Sequence, residues 1–214
     1  LRERCVSQRT SLSNQTRGLL SEYGIVFPAG FKSFKQTLAV LLDPTDTQLT
    51  APLKLQLSYV AEEFDRMSTR LTELNQVLAQ IAQNNPYCQR LMSIPGIGYI
   101  NATAIYSAIG NGSQFNNARE LSVWLGITPK QYSSGDKKVM AGISKRGNRY
   151  LRKQLIHGAR ALMRYCKKRD DQLSQWLKAI EQRRGKNKAC VALANKMARL
   201  CWTLLQNNQM YRSR

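Results

Sequence analysis

The sequence predicts an all-α protein, with a long coiled-coil helix followed by a compact helical domain that contains a helix-hairpin-helix-like element. Three observations predict this fold. Apolar residues recur at helical spacing along most of the 214 residues, one pattern forms an unbroken heptad seam, and short connections separate the helical segments after residue 86. Because 43% of the residues are hydrophobic, a core is expected and a disordered basic tail is excluded.

The first predicted element is a helix over residues 1–23, which Gly24 ends. Its apolar positions fall roughly on one face. Residues 1–24 are interpreted as a linking helix, and residues 25–52 as a connector, because this segment contains Pro28, Gly30, Pro44 and Pro52. One short helix is predicted inside the connector, at 34–42.

The next element, residues 53–84, has the clearest periodicity in the chain. Its apolar residues alternate in steps of four and three, the heptad spacing of a coiled coil: Leu53, Leu57, Val60, Phe64, Met67, Leu71, Leu74, Leu78 and Ile81. This seam predicts self-association or an antiparallel coiled-coil arm. The alternative is an intramolecular helical partner that uses the same stripe. Asn84, Asn85 and Pro86 end the helix.

Residues 87–214 are predicted to form the second, mainly helical domain. Its helices are expected at 87–93, 99–109, 117–125, 147–168, 171–181 and 187–206. The exception is residues 127–144, which are rich in Gly, Ser and Lys and are expected to form a loop or a short hairpin.

The charge of the chain indicates its partner. It has 33 Lys or Arg, 13 Asp or Glu and one His, for a net charge of +20. Residues 1–129 carry 11 basic and 9 acidic side chains, whereas residues 130–214 carry 22 and 4, a net of +18. A surplus of this size favours polyanions, and nucleic acid is the commonest. No apolar stretch is long enough for a spanning helix and no signal peptide is visible, so no membrane partner is expected.

Cysteine usage argues against a zinc site. The five cysteines form no CxxC pair, and a single His cannot complete a Cys/His ligand set. Reduced and mostly buried thiols in a cytoplasmic protein are expected instead.

Residues 91–98 carry the first candidate binding motif. An apolar helix, the turn Pro95-Gly96-Ile97-Gly98 and a second helix of small residues resemble a helix-hairpin-helix element. Glycines allow the sharp turn, and amide groups at the start of the second helix can face a phosphate, so Gly96 and Gly98 are candidate nucleic-acid contacts. The alternative is an ordinary helix-helix corner.

A second candidate motif is a basic stripe on the helix predicted at 147–168. At 100° per residue, one face collects Arg146, Arg149, Lys153, His157, Arg160, Arg164 and Lys167, and the opposite face collects Leu151, Leu155, Ala159, Leu162 and Cys166. Such a helix can pack on a core and present cations to a phosphate backbone. A merely solvated face is the alternative, but almost no acidic residue balances the charge. The proposed phosphate contacts are Lys137, Lys138, Lys145, Arg146, Arg149, Arg152 and Lys153.

Residues 132–138 contain two adjacent serines, Ser133 and Ser134, beside Gly135 and two lysines. Taken alone, this is a polar turn. A hydroxyl in such a loop is able to attack a phosphodiester, with lysines stabilising the developing charge. The residues by themselves do not decide between these two interpretations.

The order of these motifs resembles one known family. The run Arg17-Gly18-Leu19-Leu20…Glu22-Tyr23-Gly24-Ile25, the Pro95–Gly98 corner, the run Trp124-Leu125-Gly126-Ile127-Thr128-Pro129, and Gly142-Ile143-Ser144-Lys145-Arg146-Gly147-Asn148 are similar to DEDD-type insertion-sequence transposases of the IS-one-ten family, the bridge-RNA-guided serine recombinases. The similarity covers nearly the whole chain and is densest at 91–165.

The resemblance implies a transposase that cleaves and exchanges DNA strands through a covalent phosphoserine. It assigns the nucleophile to Ser134, with Ser133 as the second choice. It also implies a structured guide RNA as a partner beside DNA, and a nucleoid-associated protein. The competing hypotheses are a non-catalytic helix-hairpin-helix DNA-binding module or inactive transposase remnant, and an interaction domain that dimerises through 53–81.

The acidic metal site of the family lies upstream of the match to Leu1. The chain is therefore expected to be a C-terminal portion that lacks most of the RNase H-like domain, is incomplete as an enzyme on its own, and contains no cofactor. Mg²⁺ is expected in the missing domain. The carboxylates at Asp43, Asp46, Glu62 and Glu63 match no part of that site, so no metal ligand is assigned.

Overall fold

The computed structural model describes residues 1–134, 137–167 and 169–212, without the side chains of 133, 134, 137 and 138. Its elements in chain order are α1 (Arg2–Ser21), α2 (Phe31–Leu41), α3 (Ala51–Asn84), α4 (Pro86–Met92), α5 (Tyr99–Ile109), α6 (Ala118–Trp124), β1 (Pro129–Ser134), β2 (Lys137–Ile143), α7 (Arg149–Cys166), α8 (Gln172–Arg184) and α9 (Lys186–Asn207). The predicted all-α fold is confirmed in the coarser sense that the described chain is mainly helical. The segment predicted as a loop or short hairpin contains two antiparallel strands.

Asparagine and aspartate side chains set the start of four helices. Asn85, Asn117, Asn148 and Asp171 precede α4, α6, α7 and α8, and each accepts hydrogen bonds from backbone N–H groups of the first turn, at 2.9–3.1 Å. These bonds satisfy amides that have no partner inside the helix. The hydrogen bond that the Ser174 amide donates to Asp171 also holds the pKa of the Asp171 carboxyl below its ordinary value.

The chain divides into two compact units, Leu1–Val77 and Leu78–Arg214. In the first unit, α1 runs antiparallel to α3. The guanidinium of Arg2 donates to Asn75 at 2.6 Å, and that of Arg9 donates to Ser68 at 3.4 Å. From the first of these contacts to the second, the residue number rises by seven on α1 and falls by seven on α3. The two helices therefore run antiparallel.

The core of the first unit covers much of the predicted heptad seam. Leu57 and Phe64 of α3 are buried with Leu20 of α1 and Phe34 of α2, and the rings of Phe34 and Phe64 lie 4.9 Å apart between centroids. An intramolecular partner, the alternative to self-association, therefore accounts for this part of the seam. Towards the end of α3, Ile81 is 49% exposed.

The second unit is built around α9, which packs against α4, α6, α7 and α8. Small residues and leucines form its buried face: Ala189, Leu193, Ala194, Met197, Ala198, Cys201, Leu204 and Leu205. Small side chains permit several helices to approach one axis closely. This packing fixes α7 and α8, which carry the basic surfaces described below.

The five cysteines are buried, unpaired thiols, as predicted. Burial raises the pKa of the Cys88, Cys190 and Cys201 thiols, which disfavours the thiolate form. These cysteines therefore act as small core residues. Within the described ranges, no helix is long and apolar enough to cross a membrane.

Candidate nucleic-acid interface

Strands β1 and β2 form an antiparallel pair, named here the serine hairpin, at which both candidate serines lie. Ser134 is the last residue of β1, and its Cα pairs with that of Lys137; Ser133 pairs with Lys138. The backbone register thus places the two serines opposite the two predicted phosphate-binding lysines. The side chains of these four residues lie outside the described part of the chain.

Two glycines lie at the base of the serine hairpin, where the chain enters β1 and leaves β2. Gly126 precedes β1 and Gly147 follows β2, and both adopt positive φ, +68° and +93°. A Cβ at Gly126 would lie 1.8 Å from the carbonyl oxygen of Arg146, and a Cβ at Gly147 would lie 1.8 Å from that of Trp124. The amide of Lys145 donates to the Gly126 carbonyl at 3.1 Å. The two chain segments therefore touch backbone to backbone, and only glycine fits at either position.

Arg152 of α7 forms hydrogen bonds with the base of the serine hairpin. Its Nη1 donates to the carbonyl oxygen of Leu125 at 2.9 Å and to that of Arg146 at 3.4 Å. The side chain is half-buried. Arg152 was predicted to contact phosphate. In the structure its guanidinium joins the segments that enter and leave the hairpin, while a contact with DNA stays a prediction.

The helical part of the basic stripe forms as predicted, but α7 begins at Arg149, so Arg146 precedes the helix and does not lie on its face. All seven members, Arg146, Arg149, Lys153, His157, Arg160, Arg164 and Lys167, are exposed, and every residue predicted for the opposite face of α7 is buried. The ion pairs described nearby, Arg169–Asp171 and Lys178–Asp170, lie outside the stripe. Lys145, another predicted contact, is exposed between the hairpin and α7. The stripe therefore offers a row of solvent-facing basic side chains directly after the serine hairpin.

The Pro95–Gly98 corner packs on α7. Gly96 has φ +88°, and a Cβ there would lie 2.9 Å from the carbonyl oxygen of Gly158; a Cβ at Gly158 would lie 2.3 Å from that of Gly96. Gly96 is therefore required for a close approach of two backbones, as in a helix-helix corner. Gly98 is exposed at the start of α5. Phosphate binding by either glycine stays a prediction.

Sequence reasoning missed the structural roles of Gly126, Gly147 and Arg152. Gly126 and Gly147 lie in the motifs that carry the family resemblance, and Arg152 follows the last of these motifs by four residues. The sequence offered one signal for the two glycines: Gly126 and Gly147 flank residues 127–144, the segment of the second domain that lacks helical periodicity. No metal-binding group of three or more His, Cys, Asp or Glu side chains occurs among residues 1–134, 137–167 and 169–212.

Comparisons with known proteins support the resemblance drawn from the motifs. Residues 88–175 match the sequence model of the family described as "Transposase IS116/IS110/IS902 family". The predicted resemblance to the IS-one-ten transposases is thereby confirmed over this segment, which includes the serine hairpin and the whole basic stripe.

Similarity to individual proteins extends over nearly the whole chain. It is 45% identical to the "Transposase for insertion sequence element IS1111A" of Coxiella burnetii, over 99% of the chain and 58% of that protein. It is 39% identical to the "Probable family 20 transposase" of Pseudomonas aeruginosa, over 99% of the chain and 63% of that protein. A "Pilin gene-inverting protein" of Moraxella bovis is 26% identical over 73% of the chain and 50% of its own length. The chain thus spans about three fifths of the first two relatives.

Proposed function

We propose that this chain is the carboxy-terminal part of an IS116/IS110/IS902-family transposase, and that it binds DNA and cleaves and exchanges strands through Ser134. One observation carries the proposal: the segment that matches the family, residues 88–175, contains both the serine hairpin and the basic stripe. A recombinase needs a nucleophile held next to a surface that binds the DNA backbone, and this segment combines the two.

The proposed reaction is a transesterification. The Ser134 Oγ forms a bond to the phosphorus of a phosphodiester, the bond from phosphorus to one backbone oxygen breaks, and the proton lost by the serine is balanced by one gained by the departing hydroxyl. A hydroxyl from a second strand then attacks the phosphoserine and restores the phosphodiester. The number of ester bonds is conserved, so strand exchange needs no external energy source.

The cations near Ser134 have two proposed roles. Lys137 and Lys138, opposite the serines in the hairpin register, stabilise the negative charge that develops on the phosphate during attack. The basic stripe neutralises backbone phosphates on either side of the reacting one and so positions the duplex without reading its sequence. Mg²⁺ is proposed to act in the RNase H-like domain of the longer protein, and no residue of this chain is assigned to it.

A structured guide RNA is proposed as a second partner, on the strength of the family resemblance and of the net +18 over residues 130–214. Because phosphates of RNA and DNA carry the same charge, one basic surface suits both. If strand exchange by the full-length protein proceeds with DNA alone, the RNA is not required.

Replacing Arg149 by alanine is expected to weaken duplex DNA binding equally for all sequences. Each lost phosphate contact reduces the slope of log K against log salt concentration by about 0.9 for duplex DNA. Fluorescence anisotropy across a salt series measures this slope. Arg70→Ala removes one exposed charge from the first unit and is the matched control. An unchanged slope for Arg149→Ala would show that Arg149 contacts no phosphate.

Self-association through the end of α3 is proposed in place of the full coiled coil, because Leu57, Phe64 and Leu71 of the seam are already buried in the first unit. Val77 and Ile81, one helical turn apart, are 50% and 49% exposed. The double variant Val77→Glu/Ile81→Glu should convert a dimer to a monomer in light scattering. A wild-type chain that is monomeric at all concentrations would rule out this interface.

A further inference from the structure

The second unit contains a large groove that the proposed function does not use. It lies between β2, α8 and α9 and has a volume of about 1250 Å³. Pockets for small molecules typically measure about 300–1,000 Å³, so the groove suits part of a polymer better. None of the seven basic-stripe residues lines it. It is therefore a surface separate from the stripe.

The lining of the groove is strongly cationic. Five of its described lining residues are basic, and none is acidic: Arg183, Arg184, Lys188, Lys196 and Arg199. Four of the five are exposed, and Lys196 is half-buried. A set of cations without a carboxylate attracts a polyanion, and regularly spaced phosphates are the polyanion that a DNA-acting protein meets.

The lining of the groove also has an apolar part. Ile143 of β2, Trp176 and Ile180 of α8, and Val191 and Leu200 of α9 contribute to it. The ammonium of Lys196 lies 4.5 Å from the centroid of the Trp176 ring. The bases of a duplex are stacked and paired inside it, so apolar lining residues contribute little to duplex binding. An unpaired strand places its bases on apolar and aromatic side chains and its phosphates on cations, which is the arrangement that single-strand binders use.

We propose that this groove holds an unpaired DNA strand. The inference rests on the proposed function, because cleavage at the serine hairpin frees such a strand, and β2 of that hairpin lines the groove through residues 140–143. The basic stripe then holds duplex DNA while the groove holds the strand released for exchange.

Two double variants of the chain, each with two fewer positive charges, test the division of roles. Lys188→Ala/Arg199→Ala removes groove cations, and Arg149→Ala/Arg164→Ala removes stripe cations. Affinity is measured for a labelled twelve-nucleotide oligo(dT) and for a blunt duplex. The groove variant should bind oligo(dT) roughly 10- to 30-fold more weakly at 0.1 M salt, since two lost contacts remove about 1.4 from the single-strand salt slope. Its duplex affinity should stay within about twofold, and the stripe variant should show the reverse pattern.

Tryptophan fluorescence gives a second readout of the same site. A base stacked at Trp176 quenches its emission, so oligo(dT) should quench the wild-type chain, and Trp176→Phe should lose most of that quenching while remaining folded. Trp124 and Trp202 do not line the groove and provide the constant background.

The outcomes separate the two proposals. Duplex binding through the stripe with no groove-dependent oligo(dT) binding would overturn the groove assignment and leave the proposed function intact. Failure of the wild-type chain to bind either probe would overturn the proposed function itself. An oligo(U) of equal length that displaces oligo(dT) at lower concentrations, or an acidic peptide that does so, would overturn the assignment to DNA.

Discussion

Alanine at Gly126 or Gly147 is expected to destabilise the second unit by about 3–5 kcal/mol, or to prevent the serine hairpin from forming. Two costs add at each position. A residue with a Cβ at positive φ costs about 1–2 kcal/mol. The new Cβ would also lie 1.8 Å from a backbone carbonyl oxygen, and that backbone cannot move aside, because the Lys145 amide bonds it to the facing segment. Urea denaturation followed by circular dichroism measures the loss.

Gly185 supplies the control for this prediction. It has φ +81°, between the values at Gly126 and Gly147, but a Cβ built there meets no atom within 4 Å. Gly185→Ala should therefore carry only the backbone cost, about 1–3 kcal/mol, because φ +81° with ψ 162° is a conformation that essentially only glycine adopts. If all three alanine variants lose the same stability, the backbone contact at the hairpin base contributes nothing.

Ser134→Ala should abolish strand exchange by the full-length protein, reducing its rate by at least about four orders of magnitude, as loss of a nucleophile does in other enzymes. DNA binding should be unchanged, since the basic stripe is intact. A recombination assay with the guide RNA present, together with duplex affinity, measures both effects.

Ser133→Ala is the matched control, because it removes the neighbouring hydroxyl from the same strand. It should retain most of the activity. If instead Ser133→Ala abolishes exchange and Ser134→Ala does not, the nucleophile is Ser133. If neither substitution affects exchange, the chain is a DNA-binding module with no serine chemistry.

The sequence predicted the helices well because their signals are local. Apolar spacing identified α3 and α7, and the exposed and buried faces of α7 agree with that spacing residue by residue. The sequence did not identify which helix packs against the apolar seam of α3. A heptad pattern indicates that a stripe is buried but not by which helix, and here α1 and α2 cover Leu57 and Phe64.

The features that sequence reasoning missed depend on contacts between distant residues. Gly126 and Gly147 are 21 residues apart, and nothing in either local sequence indicates that Gly126 lies against the backbone of Arg146 or that Gly147 lies against the backbone of Trp124. Arg152 lies in a basic run and so resembles a phosphate contact, although its guanidinium donates to Leu125. The cationic groove combines residues of β2, α8 and α9 that share no sequence pattern.

The most direct test of serine-based strand exchange is to identify the residue that carries DNA in a trapped covalent adduct of the full-length protein. Trypsin releases residues 131–137, which contain both serines, as one peptide. After nuclease treatment, fragmentation of this peptide in a mass spectrometer locates the nucleotide. The account predicts a nucleotide phosphate on Ser134. A nucleotide on any other residue, or no adduct under conditions where strands are exchanged, would contradict it.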